Sequence, residues 1–242
     1  MLETTSDRPR TALVTGAGGD LAATVVPRLV AAGWRVVATV RPGSEERATE
    51  RFAGLGEAVT VAGVDLVEPA AVAEAVARLD GAYGAPEALV HLAGRFEPGP
   101  GPADGALGAS AVLERALDGN LRGAVNACAA VLPGMLAAGR GALVAVGAAA
   151  GASPAPGSVA YAAAKGALAA YFRSLAAQVA KRGVNVALLV PKGAFDTPGN
   201  RRAMPGADPT AWIAPDALTD AVLFLLDRPP RGLVHELPLS VG

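Results

Sequence analysis

The chain has 242 residues, of which 52% are hydrophobic, with 30 glycines and 19 prolines, and this length suits one large α/β domain with a buried core. The formal net charge is −1 and both signs are scattered, which argues against a basic face for nucleic acid or anionic lipid. The single cysteine, Cys128, excludes an internal disulfide and fits a reducing compartment.

Two segments bear on cellular location. Residues 1–10 are polar and do not resemble a signal peptide. The uncharged stretch 141–164 is long enough for a membrane span, but it is rich in Gly, Pro and Ser, and Pro154 and Pro156 would break a lipid-exposed helix. We therefore expect a soluble, cytoplasmic protein that binds a small-molecule substrate and contacts neither membrane nor nucleic acid.

Short β-branched runs alternate with alanine-rich helical stretches along the chain. In chain order the predicted elements are strand 11–14, helix 21–32, strands 34–40 and 59–64, helix 69–79, strand 88–92, helix 110–138, strand 142–146, helix 158–181, strand 184–190, helix 215–226 and strand 233–239. The strands are continuous apolar runs, as expected where helices cover both sheet faces. This order predicts α/β architecture, a Rossmann-type doubly wound parallel sheet in one domain over 1–242.

Two loops of low predicted structure, 94–108 and 191–214, follow the fourth and sixth strands. Ligands bind beyond the carboxyl ends of the strands in sheets of this kind. The second loop is therefore the candidate substrate loop.

A glycine-rich turn joins the first strand to the first helix, with the sequence Val14-Thr15-Gly16-Ala17-Gly18-Gly19-Asp20-Leu21-Ala22. Its glycines let the backbone approach a diphosphate, whose charge the helix N-terminus would meet. The alternative is an ordinary tight turn between strand and helix. Asp20 brings a negative charge close to the phosphates, or instead caps the helix.

The end of the second strand bears on the choice between NADPH and NADH. Val40 and Arg41 stand there, with no acidic residue before Glu45. A basic residue favours a ribose 2′-phosphate, so Arg41 predicts NADPH, with NADH possible, unless Arg41 is a solvated loop residue. Asp65, at the end of the third strand, either contacts adenine or caps the helix that begins near Pro69.

Tyr161 and Lys165 are four residues apart at the start of the helix that follows the fifth strand. This spacing puts the phenol and the ammonium on one helix face. We expect the ammonium to lower the pKa of the phenol, so that Tyr161 exchanges a proton near neutral pH.

Further motifs accompany this pair: Thr15–Ala22, His91-Leu92-Ala93-Gly94, Asn120 and Pro191-Lys192-Gly193. Together with Tyr161 and Lys165, they resemble the motifs of the short-chain dehydrogenase/reductase family over essentially the whole chain. The resemblance implies that Tyr161 donates the proton, Lys165 holds the nicotinamide ribose and tunes Tyr161, and Asn120 orders a water relay. The positions expected to bind the cofactor are Gly16, Gly18, Gly19, Asp20, Leu21, Arg41, Asp65, Leu66, Ala93, Gly94, Asn120, Tyr161, Lys165, Pro191, Gly193 and Thr197. No metal site is expected.

One member of the family's catalytic set is absent. The catalytic serine stands thirteen residues before the tyrosine, and that position is Ala148. Ser153 and Ser158 lie in the following loop and at the helix start. A narrower resemblance, to dihydropteridine reductases, rests on Gly147-Ala148, Gly166-Ala167, Ser174-Leu175-Ala176, the segment 196–208 and Trp212. It implies a quinonoid acceptor that needs no such hydroxyl, but Val40 stands where those enzymes carry an acid.

Three functions follow from these residues: reduction of a conjugated quinonoid or imine-like acceptor, reduction of a ketone or aldehyde without the serine, and low-turnover NADPH binding that acts through partners. The expected wall of the substrate site consists of Arg95, Phe96, Phe195, Asn200, Met204 and Trp212. The resemblance also implies a homodimer or homotetramer paired through the helices 110–138 and 158–181, unless these form one alanine-rich core.

Overall fold

The computed structural model describes residues 9–99, 103, 109–153, 155–229 and 231–241. Seven parallel strands form one sheet in the order β3-β2-β1-β4-β5-β6-β7. The strands are β1 (Arg10–Thr15), β2 (Trp34–Val40), β3 (Val59–Gly63), β4 (Ala88–His91), β5 (Gly141–Val146), β6 (Val184–Pro191) and β7 (Glu236–Leu239). This order, which reverses direction at β1, is that of a Rossmann fold and confirms the predicted class.

Helices cover both faces of the sheet. They are α1 (Ala22–Ala31), α2 (Glu45–Phe52), α3 (Pro69–Tyr83), α4 (Ala109–Leu117), α5 (Gly123–Ala138), α6 (Val159–Gln178), α7 (Pro198–Ala203) and α8 (Pro215–Leu226). One core holds Leu29 of α1 and Leu225 of α8, and the other holds Val131 of α5 and Phe172 of α6. The β-branched strand residues face both cores, which is why the strands lack an alternating polar pattern.

The structure departs from the predicted elements at four places. Helices α2 and α7 lie in segments for which no helix was predicted. The predicted helix 110–138 contains one π-helical segment, Asp118–Arg122, between α4 and α5. Helix α3 continues to Tyr83 and ends at Gly84, which has a φ of 80°.

The stretch 141–164 is not a helix, because it comprises β5, a 3₁₀ turn at Ala149–Gly151 and the start of α6. Pro154 lies outside the described residues, as do residues 1–8 and most of 100–108. The helical run Ala109–Ala138 is long and apolar enough to cross a bilayer by length and composition. Of its most apolar 18-residue stretch 33% is buried, and Val131 and Met135 on this run are among the buried residues.

Candidate active site

The glycine turn packs against the end of β4. Gly16 has a φ of +74°, and a Cβ there would lie 2.5 Å from the backbone nitrogen of Ala93. The Thr15 hydroxyl and His91 Nδ1 form a hydrogen bond of 2.7 Å between these strand ends. Burial, and to a smaller extent the charge of Lys165, lowers the pKa of His91 to about 3, so its ring is neutral. The turn thus requires glycine at position 16 for backbone contact.

The next part of the turn is open. Gly18 and Gly19 are exposed; a Cβ on Gly18 would meet just a methyl of Val40, at 3.9 Å. Leu21 stands at the N-cap position of α1 with helical dihedral angles, so the first N–H groups of this helix lie beside the turn. Accessible backbone beside a helix N-terminus suits the diphosphate of a dinucleotide.

Asp20 does not cap α1, which corrects that interpretation. Its Oδ2 accepts a hydrogen bond of 2.6 Å from the backbone nitrogen of Gly199, in α7. A Cβ on Gly199 would lie 2.7 Å from this oxygen, so the contact requires glycine there. Thr197 caps α7 by accepting a hydrogen bond from Asn200 N at 3.2 Å. Asp20 therefore ties the candidate substrate loop to the glycine turn.

Asp65 and Leu66 follow β3. The interpretation of Asp65 as a helix cap is wrong, since Glu68 is the N-cap residue of α3 and Asp65 Oδ1 instead accepts from Val67 N at 3.0 Å. The Asp65 side chain is exposed beside the sheet. Leu66 packs on Gly123, where a Cβ would lie 2.9 Å from the Leu66 Cβ.

Tyr161 and Lys165 lie on the first turns of α6. Lys165 Nζ donates a 2.9 Å hydrogen bond to the carbonyl of Val146, at the end of β5, and lies 5.9 Å from the centre of the Tyr161 ring. Burial lowers the pKa of Lys165 to about 8. Burial also raises the pKa of Tyr161, so the expected lowering of that pKa by the ammonium is wrong for this structure. The phenol is held in its protonated form.

Asn120 lies within the π-helical segment and is buried. Its Oδ1 accepts from the backbone nitrogen of Arg95 at 3.2 Å, and its Nδ2 donates to Arg95 O at 2.9 Å and to Ala116 O at 3.0 Å. A Cβ on Gly94 would approach both this side chain and Lys165 Nζ, at 3.0 and 3.1 Å. Asn120 thus fixes the backbone after β4 against α4, while its part in a water relay stays a prediction.

The residues expected to form the substrate wall do not all lie on one accessible surface. Phe96 packs edge-on against Tyr161, with ring centroids 5.3 Å apart, and is 59% exposed. Phe195 is buried in the core under β6, which corrects its placement in the wall. Met204 is exposed at the end of α7, and Trp212 is half-buried.

Ala148, which follows β5, stands at the position of the family's catalytic serine and has no hydroxyl. Ala148 is extended, with a φ of −163° and a ψ of 149°, and a 3₁₀ turn follows it. Ser153 is exposed beyond that turn, whereas Ser158 is buried just before α6. Pro191 is the last residue of β6, and a Cβ on Gly193 would meet no atom within 4 Å.

Sequence reasoning missed Arg51, because it predicted no helix over α2. Arg51 Nη1 donates to the carbonyls of Gly19, at 2.8 Å, and Gly18, at 3.3 Å. The one signal for this helix was the spacing of Ala48 and Phe52, which are both buried. That i, i+4 pair marks a narrow apolar stripe on an otherwise charged helix.

Comparison with known proteins places this geometry in a family. The model of the short chain dehydrogenase family matches residues 10–207. Retinol dehydrogenase 8 of Homo sapiens is 30% identical over 213 residues, which cover 83% of this chain and 66% of that protein. The NADP-dependent 3-hydroxy acid dehydrogenase of Salmonella typhi is 29% identical over 225 residues, or 90% of this chain and 89% of that one.

Among solved structures, the closed form of serine dehydrogenase complexed with NADP+ superposes with a TM-score of 0.81. It is 25% identical, and the alignment covers 96% of this chain and 94% of that chain. The sheet order, the glycine turn and the family match agree with one another. The chain belongs to the short-chain dehydrogenase/reductase family of NAD(P)-linked oxidoreductases.

Proposed function

We propose that this protein is an NADPH-preferring reductase in which Tyr161 donates the proton that completes reduction of the substrate. The observation that carries the proposal is the buried cluster at the carboxyl ends of β4 and β5. There Lys165 bonds to Val146 O, Asn120 holds the backbone after β4, and Tyr161 stands on the same helix as Lys165. Polar side chains that converge at this edge of a doubly wound sheet favour catalysis there.

The cofactor-binding residues follow from the same arrangement. The turn through Gly16, Gly18 and Gly19 and the first turn of α1 at Leu21 would hold the diphosphate. Arg41 would meet the 2′-phosphate, and Asp65 and Leu66 would line the adenine pocket. Asp20 would adjoin the diphosphate beside Gly19. At the nicotinamide end, the remaining positions are Ala93, Gly94, Asn120, Tyr161, Lys165, Pro191, Gly193 and Thr197. A bound nicotinamide supplies a hydride to the substrate at this end.

Tyr161 and Lys165 would carry out the proton transfer to the substrate. Burial raises the pKa of Tyr161, so its Oη carries a proton at neutral pH, and donation of that proton to a substrate oxygen or nitrogen requires stabilisation of the phenolate that is left. Lys165, with a pKa of about 8, keeps a positive charge at neutral pH and stabilises the phenolate that remains. Phe96 packs edge-on against the Tyr161 ring and lies beside the proposed proton donor.

We further propose a conjugated, flat acceptor of quinonoid or imine type. Ala148 provides no hydroxyl to a carbonyl oxygen, and the exposed ring of Phe96 beside Tyr161 offers a surface for a planar ring. A ketone or aldehyde is the second candidate. The named substrates of the relatives favour it, because retinol and 3-hydroxy acids are interconverted with carbonyl compounds.

Ala148→Ser separates the two candidates. A hydroxyl donor to a developing oxyanion is worth about 10²–10³ in rate, so the variant gains strongly on ketones if those are the substrates. For a quinonoid or imine acceptor, the added hydroxyl is neutral or harmful through crowding. Turnover of both acceptor classes is measured for the parent, for Ala148→Ser and for Ala149→Ser as the adjacent control. A large gain confined to ketones overturns the first choice, and no turnover by any form indicates a binding protein.

Cofactor preference has its own test. Arg41→Ala should narrow the affinity gap between NADPH and NADH by about tenfold, the scale of a charge-assisted hydrogen bond. Fluorescence titration gives both dissociation constants. An equal or tighter affinity of the parent for NADH would refute the NADPH preference.

We also propose a homodimer or homotetramer in the cytoplasm, paired through α4–α5 and α6. Helix α5 carries no charged residue, and Leu113 of α4 and Val159 of α6 are large exposed hydrophobics. Sedimentation equilibrium tests this, and a monomer at micromolar concentration would contradict it.

A further inference from the structure

The carboxyl end of β2 lies between two neighbours in the sheet. On one side the glycine turn adjoins it, since Ala17 N donates to Thr39 O at 3.0 Å and a Cβ on Gly18 would lie 3.9 Å from Val40. On the other side, Val64 N donates to Val40 O at 2.8 Å, just after β3. The chain leaves β2 through a turn in which Ser44 N donates to Arg41 O.

Helix α2 spans this end of the sheet from one neighbour to the other. At its first residue, the Glu45 carboxylate lies against Gly63 at the end of β3, where a Cβ would clash with it. In its last turn, Arg51 donates to the carbonyls of Gly19 and Gly18. Burial of Phe52 in the core fixes the position of the helix.

We infer that Arg51 is a second 2′-phosphate-binding residue, which determines selectivity for NADPH together with Arg41. The inference rests on the NADPH preference proposed above. Because Gly18 and Gly19 have no side chains, the Arg51 guanidinium lies directly on the exposed turn. A guanidinium has five N–H donors in a planar fork, and the two carbonyl bonds both come from Nη1. The other donors of this fork suit a phosphate.

Glu45 and Arg51, two of the five charged residues of α2, lie on opposite sides of the β2 end. Glu45 lies on the β3 side of β2, whereas Arg51 lies on the β1 side, where the glycine turn is. The opposite charges therefore flank the end of β2 instead of neutralising each other at one point. Arg51 lies on the side next to the turn proposed for the diphosphate, and Arg41 is the residue that directly follows β2.

Binding measurements on Arg51→Ala and Arg51→Lys test the inference, with Arg47→Ala as the matched control because Arg47 is an exposed cation of the same helix. Dissociation constants are measured by fluorescence titration for NADPH and NADH. Calorimetry compares adenosine 2′,5′-bisphosphate with 5′-AMP. Arg51→Ala should weaken NADPH and the bisphosphate by about tenfold and change NADH and 5′-AMP by less than about twofold. Arg51→Lys should lose part of the NADPH affinity, by about three- to tenfold, because an ammonium keeps the charge but cannot bond the two carbonyls and a phosphate through a planar fork.

Three results would overturn the inference. Equal losses for NADPH and NADH would mean that Arg51 merely supports the glycine turn. An unchanged NADPH affinity would mean that its guanidinium does not reach the phosphate, and an equal loss in Arg47→Ala would mean that net helix charge is responsible. None of these measurements requires turnover. A protein that reduces no acceptor can therefore still support or refute the role of Arg51.

Discussion

Lys165 should reduce the stability of the protein at neutral pH. The side chain is 5% exposed, and burial lowers its pKa from 10.5 to about 8. Each unit is worth about 1.4 kcal/mol, so the charged form makes the folded state about 3 kcal/mol less stable at neutral pH than an unperturbed lysine would. Because the pKa in the folded state is the lower one, this penalty disappears as the pH rises from 8 to 10.5.

Lys165→Met isolates the effect, since methionine fills similar volume without a charge. Between about pH 7 and pH 10 the parent should gain about 2 kcal/mol of unfolding free energy relative to the variant. Burial raises the pKa of Cys128 to about 12, so this thiol lowers the unfolding free energy over the alkaline part of this range. The effect is the same in the parent and in the variant, because both contain Cys128. The variant also loses the hydrogen bond to Val146 O, which costs it about 1–3 kcal/mol of unfolding free energy at both pH values. This cost cancels when the parent-minus-variant difference at pH 7 is compared with that at pH 10.

Urea denaturation of both proteins at the two pH values supplies the four free energies. A parent-minus-variant difference that stays constant with pH would refute the reasoning. It would mean that water or a counter-charge keeps the pKa of Lys165 close to 10.5 in the folded protein.

Three other variants test the site. Tyr161→Phe should keep the NADPH dissociation constant within about twofold and abolish reduction of any accepted substrate in a spectrophotometric assay; full activity would exclude Tyr161 as the donor. Asp20→Asn should speed amide hydrogen exchange at Gly199 by about tenfold, and unchanged exchange would show that the carboxylate does not hold α7. Gly16→Ala should lower the unfolding free energy by about 2–4 kcal/mol, because its Cβ meets Ala93 at a positive φ; an unchanged denaturation midpoint would contradict this.

The sequence predicts the strands well because a strand covered on both faces must be apolar throughout. Leu89 and Val144, for example, are both buried in uninterrupted apolar runs. The placement of Tyr161 and Lys165 together also follows from the sequence, since residues 161 and 165 share one face of any helix. The charged helix α2 was missed because Ala48 and Phe52 alone carry its apolar stripe. Without that helix, Arg51 could not be placed at the glycine turn.

Contacts between residues far apart in the chain could not be predicted from the sequence either. The partner of Asp20 is a backbone amide 179 residues away, and nothing in the local pattern distinguishes that contact from helix capping. The pKa of Tyr161 was misjudged for a related reason. The spacing to Lys165 reveals a neighbouring charge, but burial of the phenol depends on Phe96 and the surrounding fold.

The π-helical segment Asp118–Arg122 also matters for sequence alignment and redesign. A π turn carries one residue more than an α turn, and each helical residue advances about 100° around the axis. The segment therefore rotates α4, which packs on α6, relative to α5, which packs on α3. Deleting one residue here would force Val112 or Val131 out of its buried position. In this stretch the number of residues is constrained as well as the identity of Asn120, and a gap placed within it would misalign an entire helix face.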